Sequence, residues 1–434
     1  MSRLVGAVKA PRARLSWVSL LALLWLALVS APTLWSLGPI SGSGILTIFT
    51  FVLLLVALPF TVALKAMSDN ARTASDSWSD RNGNLQPLMK SRFGHPWLPL
   101  AFGLFVVAAC ARLALDFSVE GLQNVAVYSS FAIAAVVVAS SSSLGSADLF
   151  LRLARVLASA VGVIALVTFL LDLHLYDARA FALEGLVLLS IVIPERSNNV
   201  LVRLAPYVLT AAIALSLSRT ATVIAIGMLV FVVLRGKRRG KLIRAILLLL
   251  VAATSTVLLV TLYPPFRDRF LVGDNAVTYG GVAINTSGRT AIWDLLLRGV
   301  PDAPVFGHGP GAASATIIAR YPQIGHPHND YIRILFDFGW IGLALFVIGY
   351  CTIIFWTLRR AIAFRAPIHW SATIALLGVG LSGLTDNAFV YPFVMVPLGV
   401  LVGLSLAWPG TPSLSEAEVS QSESQSHTAQ LSGR

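Results

Sequence analysis

Runs of about twenty apolar residues, repeated along the chain, constrain this sequence more than any other feature. A helix that crosses a bilayer needs about 20 mostly apolar residues. In lipid, each backbone polar group must also be bonded within the spanning segment. Such runs fall at 15–37, 44–66, 97–115, 122–141, 153–171, 180–194 and 202–217. After the Leu217-Ser218-Arg219-Thr220 turn they continue to 234, then recur at 242–262, 338–357, 369–385 and 389–407. The expected fold class is all-α: a polytopic integral membrane protein with about 12 transmembrane helices and one large external loop. Composition agrees. Of 434 residues, 56% are hydrophobic and 12% charged, whereas a soluble globular domain is about 25% charged.

The net charge of +12 does not point to nucleic acid, because the basic residues sit in short clusters at the ends of apolar runs. That is the positive-inside pattern. With the N-terminus in the cytoplasm, all five Lys (9, 65, 90, 237 and 241) fall inside. The 67–96 segment, the 235–244 cluster and Arg359, Arg360 and Arg365 fall inside with them. The Ser218-Arg219 turn, the long loop and the Asp386-Asn387 turn fall outside. Both termini are then cytoplasmic, with an uncleaved first span behind Arg3, Lys9, Arg12 and Arg14. Residues 1–408 form the membrane domain; 409–434, rich in Ser, Gln and Glu, are expected to be a disordered cytoplasmic tail. Cys110 and Cys351 lie inside apolar runs and are expected to be buried small hydrophobes.

The long polar interval, 263–337, holds six Arg, six Asp, no Lys and three of the seven His. A loop of this length is functional or disordered, and Trp293, Phe306, Tyr321 and Tyr331 argue against disorder. The expectation is an external loop that carries the site. Within it, Ile292, Leu295 and Leu296 fall at helical spacing, with Ser287 as N-cap and Gly299 and Pro301 as the stop. Arg289 then lies in the first turn, where a cation opposes the helix dipole. An anion bound there reverses that penalty; a solvated surface arginine is the competing reading. Gly307-His308-Gly309-Pro310-Gly311 allows a tight turn or a close approach to a ligand.

His326-Pro327-His328-Asn329-Asp330-Tyr331 is the most specific piece. Asn329 reads as the N-cap of a helix through Tyr331, Ile332, Leu335 and Phe336, with His328 just before its start. An imidazole titrates near neutrality and can take a proton from a hydroxyl. Three readings fit His328: general base, structural histidine, or a metal ligand with His326, His308 and Asp330. Arg219 stands between two apolar runs, where charge is costly and marks function by default; a turn residue snorkelling to the interface is the alternative. Guanidinium also pairs bidentately with phosphate, as ammonium does not.

With these residues in view, the chain resembles the O-antigen ligase/polymerase family of bacterial membrane glycosyltransferases (the Wzy/WaaL-like group). The likeness covers the helical architecture and, most specifically, about 285–350. Its pieces are Ser287-Gly288-Arg289 with Trp293, Gly307-x-Gly309-x-Gly311, His328-Asn329-x-Tyr331, Phe338-Gly339-Trp340-Ile341-Gly342 and the Ser218-Arg219-Thr220 turn. The resemblance implies transfer of a glycan from an undecaprenyl-diphosphate carrier on the periplasmic face of the inner membrane, with neither metal nor nucleotide as cofactor. It implies that Arg219 and Arg289 hold the diphosphate and that His328 activates the acceptor hydroxyl. His326 competes for the base role, and His308, Gly309, Asn329 and Tyr331 are further substrate-binding candidates. The acceptor is another lipid-linked glycan or lipid A-core, with membrane lipid, a flippase and a chain-length regulator as partners. A twelve-span secondary transporter is the rival class. Its binding charges, however, belong near the bilayer midplane on broken helices, whereas the spans here are nearly free of charge.

Overall fold

The computed structural model describes residues 15–28, 31–34, 36–37, 40–80, 98–142, 144–194, 200–235, 240–262, 264, 267, 277–279, 282–284 and 288–407. The predicted tail, 409–434, and residues 236–239 of the basic cluster lie outside this set. The fold is helical apart from two short hairpins, Ser36–Leu37 with Ile40–Ser41 and Val277–Tyr279 with Val282–Ile284.

In chain order the helices are α1 (Trp17–Leu28), α2 (Gly42–Asp80), α3 (Leu100–Leu115), α4 (Val119–Ser141), α5 (Leu144–Leu170), α6 (Ala178–Val192) and α7 (Val200–Leu215). They continue as α8 (Arg219–Arg235), α9 (Lys241–Leu262), α10 (Arg289–Gly299), α11 (Ala312–Arg320), α12 (Asp330–Phe364), α13 (Pro367–Ser382) and α14 (Pro392–Ala407). A helix lies in each of the apolar intervals. Five, those at Gly42–Thr61, Val119–Ser141, Gly145–Leu170, Lys241–Leu262 and Asp330–Phe364, are long and apolar enough to cross a membrane. This is a helical membrane protein. α4 is buried nearly all round at the centre, while α9 turns most of its side chains outward, where lipid suits them.

Close packing at the centre follows from small residues and rings. Gly399 and Gly403 sit one turn apart on α14, directly against the carbonyls of Phe131 and Ala135 on α4. Such small-residue stripes let backbones approach where lipid provides no hydrophobic drive. Phe102 and Phe105 of α3, Tyr128 and Phe131 of α4, and Phe338 and Phe346 of α12 interlock, mostly edge to face, with centroids 5.2–6.5 Å apart. Phe389, after α13, joins Phe346 at 4.9 Å. Each such pair adds about 0.5–1.5 kcal/mol beyond the area it buries, so α3, α4 and α12 are locked together below the loop.

Several expectations need correction. α1 ends at Leu28 and a 3-10 turn, Ala31–Leu34, follows. α2 runs on to Asp80, well past 66, because 67–80 contains no Gly or Pro to stop it. Cys110 and Cys351 are exposed on the outside of the bundle, not buried. In the long interval, from 288 on, the helices expected over Ile292–Leu296 and after Asn329 form, and α11, which was not expected, joins them in a core of Ile292, Leu296, Val300, Ala313, Ile317, Leu335 and Phe336. Trp293 and Tyr321 pack against it, but Phe306 is exposed. Ser287 is outside the described residues, and the residue capping α10 is Gly288, at φ 75°.

α12 starts at Asp330, capped by Asn329, whose Oδ1 accepts from Ile332 N at 3.0 Å. The helix breaks at Gly339 (φ 68°, ψ −171°). The break leaves a short segment on the loop side and the long apolar segment beyond. A Cβ at Gly339 would collide with the Val305 carbonyl, so Gly is required by both conformation and space. Gly339→Ala is therefore expected to destabilise the protein by more than about 1 kcal/mol, read as a lowered thermal midpoint in detergent. An unchanged midpoint would show the break is not strained.

Candidate active site

Three helices present an arginine at their amino ends, and one pocket collects all three. Arg179 is the second residue of α6, behind Asp177, whose Oδ1 caps the helix by accepting from Ala180 N at 2.7 Å. Arg219 opens α8 and Arg289 opens α10. Together with Ser216, Leu217, Ser218 and Thr220 they line a solvent-open pocket with about 360 Å³ of empty space. The turn before α8 is tight: Leu217 holds φ 62°, and Ser218 O accepts from both Thr222 N and Thr222 Oγ1. Thr385 Oγ1 donates to Thr220 Oγ1 at 2.7 Å and ties this turn to the one after α13. Helix amino ends and guanidinium side chains are the groups that suit an anion.

Asp386, after α13, is buried beneath the arginines. Arg179 Nε donates to its Oδ2 at 3.2 Å. Burial raises the Asp386 carboxyl, but His328, Arg179 and Arg289 outweigh that and hold it below the usual carboxylate range. It is an anion at neutral pH.

His328 reaches the same place from the segment before α12, with φ 52°. A non-glycine residue in this region costs roughly 1–3 kcal/mol and persists where the surroundings fix it. Two donors address the ring. Arg179 Nη1 lies 3.3 Å from Nε2, and Asn387 Nδ2 lies 3.0 Å from Nδ1. The Asn387 amide is oriented by Arg333, whose Nη2 donates to Oδ1 at 3.0 Å. A neutral imidazole carries one proton and one lone pair, so it accepts one of these donors and releases the other. When Nε2 accepts from Arg179, the Nδ1 proton faces Asp386 Oδ1 at 3.8 Å. Burial lowers the His328 pKa; Asp386 pulls it back up, and Arg179 and Arg289 push it down again. The net shift is downward, so the ring is neutral at pH 7.

The structure thus brings together Arg219, Arg289 and, through Arg179, His328. The other candidates hold the frame. His308 stacks on Phe336 at 4.4 Å, with Nε2 2.9 Å from Gly299 O. Gly309 packs on Asp116, Asn329 caps α12, and Tyr331 donates to Gly380 O at 2.8 Å. None of these lines the pocket. His326 lies on a different side, its Nδ1 3.9 Å from Glu120 Oε1. The set His326, His328, His308 and Asp330 does not gather, and no metal-holding group of three His, Cys, Asp or Glu occurs among the described residues.

Arg179 was not singled out in the sequence, although the signal was there: an arginine in the first turn of a span on the face where basic residues are otherwise few. Arg333, buried completely, and Asn387 gave no such signal.

These features define a helical membrane protein with a pocket lined by three arginines beside a partly buried histidine. The family model described as O-antigen ligase matches residues 206–347, and the match supports an O-antigen ligase/polymerase-like family. It supports glycosyltransferase-like ligase or polymerase activity in surface-polysaccharide biosynthesis. The matched interval holds Arg219, Arg289 and His328 but not Arg179 or Asp386. No curated protein matches the chain.

Because Asp386 raises the His328 pKa while burial and the arginines lower it, Asp386→Asn is expected to move the His328 titration further down. Ring-proton NMR on histidine-labelled protein reads the midpoint. An unmoved or raised midpoint would show that Asp386 does not act on the ring.

Proposed function

We propose that this chain transfers a glycan from an undecaprenyl-diphosphate-linked donor to an acceptor hydroxyl on the periplasmic face of a bacterial inner membrane. The product is a surface polysaccharide, either polymerised or ligated to lipid A-core. The observation that carries this reading is the convergence of Arg179, Arg219 and Arg289 on one pocket, with His328 against Arg179 and Asp386. Arginines suit a diphosphate leaving group, whose charge grows in the transition state.

Each group then has a step. The donor diphosphate enters the arginine pocket and draws the Arg179 guanidinium from Nε2, which frees that lone pair. Nε2 takes the proton of the acceptor hydroxyl. The acceptor oxygen forms a bond to the anomeric carbon as the bond from that carbon to the diphosphate oxygen breaks. The diphosphate keeps the electron pair and its charge is met by the arginines. Asp386 holds the Nδ1 proton and steadies the imidazolium until the proton passes to water. His326, near Glu120 rather than the pocket, is not the base in this scheme. The twelve-span topology, with 1–408 as the membrane domain, 263–337 external and both termini cytoplasmic, belongs to the same proposal; the charge distribution supports it. The reaction needs no metal or nucleotide. In a deletion strain, loss of all polymer identifies a polymerase, and accumulation of unattached polymer identifies a ligase.

Arg219→Lys and Arg289→Lys are each expected to cut transfer by about 100-fold or more, since a point charge does not replace the bidentate fork. His328→Ala should lose about 100- to 10,000-fold while donor binding persists. With a lowered His328 pKa, the base is competent at neutral pH and its activity falls only as pH drops below the ordinary histidine range. Wild-type rates that fall off above pH 7 on acidification, Lys variants with full output, or inhibition by chelators relieved by zinc would each overturn this mechanism.

The orientation has its own check. In a Cys110→Ser, Cys351→Ser background, Gln323→Cys is exposed and is expected to react with a membrane-impermeant thiol reagent from the periplasm. Lys241→Cys, also exposed, is expected to stay unlabelled. The reverse pattern would put the pocket in the wrong compartment.

A further inference from the structure

A second polar cluster lies near His328, outside the lining of the arginine pocket. Glu120, Asn124 and Tyr128 follow one face of α4 at four-residue spacing. Ser314 of α11, Arg333 of α12 and His326 complete it. Arg333 acts electrostatically on Glu120, Tyr128 and His326. It is completely buried, and one of its nitrogens, Nη2, holds Asn387, which in turn faces His328 Nδ1. Among the described residues its Nε and Nη1 have no hydrogen-bond partner, nor have Glu120 Oε1, Asn124 Nδ2, Tyr128 Oη and His326 Nδ1, while Ser314 bonds to Glu120. A buried polar group left unsatisfied costs about 1–3 kcal/mol, and native structures hold few of them. So many in one place, beside a proposed catalytic histidine, call for a ligand.

The chemistry of the cluster says which ligand. Arg333 faces three carboxyl groups, Glu120, Asp330 and Asp337, so the cluster does not select an anion. Donors and acceptors alternate, as they must to bind neutral hydroxyl groups. The cluster is closed at its rim by Glu120 and His326, whose side chains are 31% and 45% exposed. They stand 3.9 Å apart, too far for a hydrogen bond, so little holds them together. We propose that Glu120, Asn124, Ser314, His326 and Arg333 form the acceptor-saccharide subsite, entered by parting Glu120 from His326. The acceptor sugar bonds there through its hydroxyls and presents one of them to His328. This inference rests on the glycosyl-transfer reading and deepens it: the acceptor sugar is held beside the histidine whose Nε2 takes its proton.

The test uses the full chain in lipid nanodiscs. The donor is a polyprenyl-diphosphate oligosaccharide extracted from polymer-producing cells. The acceptors are the oligosaccharide released from that donor by mild acid and, separately, lipid A-core. Glu120→Gln and Ser314→Ala are both small changes, so either can report if the other fails to accumulate. A hydrogen bond to a charged group is worth about 1.5–3 kcal/mol, so Glu120→Gln is expected to raise the acceptor KM about tenfold or more. Ser314→Ala is expected to raise it less. Donor affinity and kcat at saturating acceptor should hold. Saturating acceptor is also expected to slow diethyl pyrocarbonate modification of His326, read by peptide mass spectrometry. An unchanged KM for both acceptors, a fall in kcat or donor affinity instead, or no protection of His326 overturns the subsite. If Arg219→Lys and Arg289→Lys still abolish transfer, that failure is confined to the subsite; if they too leave transfer intact, the glycosyl-transfer reading itself has failed.

Discussion

Three arginines at the amino ends of three helices repel one another, and each also opposes the dipole of its own helix. Much of this end of the bundle is organised around that repulsion. One buried carboxylate, Asp386, stands against it, bonded to Arg179 and close to His328. With Arg179 held in this way, the three guanidinium groups line one pocket.

Keeping such charges in place needs a rigid frame, and the segment from α10 to α12 supplies it. Asp337 accepts from Gly311 N and Ala313 N at 3.1 and 2.8 Å and so anchors the start of α11 to α12. Asp330 Oδ2 accepts from Phe389 N at 2.8 Å, and Asp330 N donates to Gly383 O. Arg112 Nη2 and Ser118 Oγ donate to Gly307 O and Pro310 O from the α3–α4 turn. The glycine-rich stretch serves here as a packing element between α3, α4 and α12. These bonds fix His328 and Asp386 relative to one another across almost sixty residues of sequence. The left-handed φ values of His328 and Leu217 are tolerated because their neighbours leave no alternative.

The same arrangement explains how one histidine can serve chemistry at neutral pH. Burial and two arginines would make it a very weak base, and Asp386 restores part of its basicity. Arg179 bridges the two halves of the site because it touches both His328 and Asp386 and lines the anion pocket. In the proposed reaction, occupancy of the pocket and availability of the Nε2 lone pair are coupled through this one side chain.

The sequence by itself determined the class of fold. Apolar runs of bilayer length leave a chain little choice but membrane-crossing helices, and the Asn329 cap and the Gly299–Pro301 stop were legible because capping and helix-breaking are local. Arg219, Arg289 and His328 were legible because charge and titratable groups are rare in such a chain. Tertiary structure alone decided that Arg179 joins them, that Asp386 and Asn387 hold the histidine, that His308 stacks on Phe336, and that Arg333 is buried with two nitrogens unsatisfied. It also decided that α10, α11 and the start of α12 share a core. The physical reason is separation along the chain. Caps and spans are written within a few residues of each other. An ion pair between α6 and the turn after α13 exists only once packing of distant helices has brought it together.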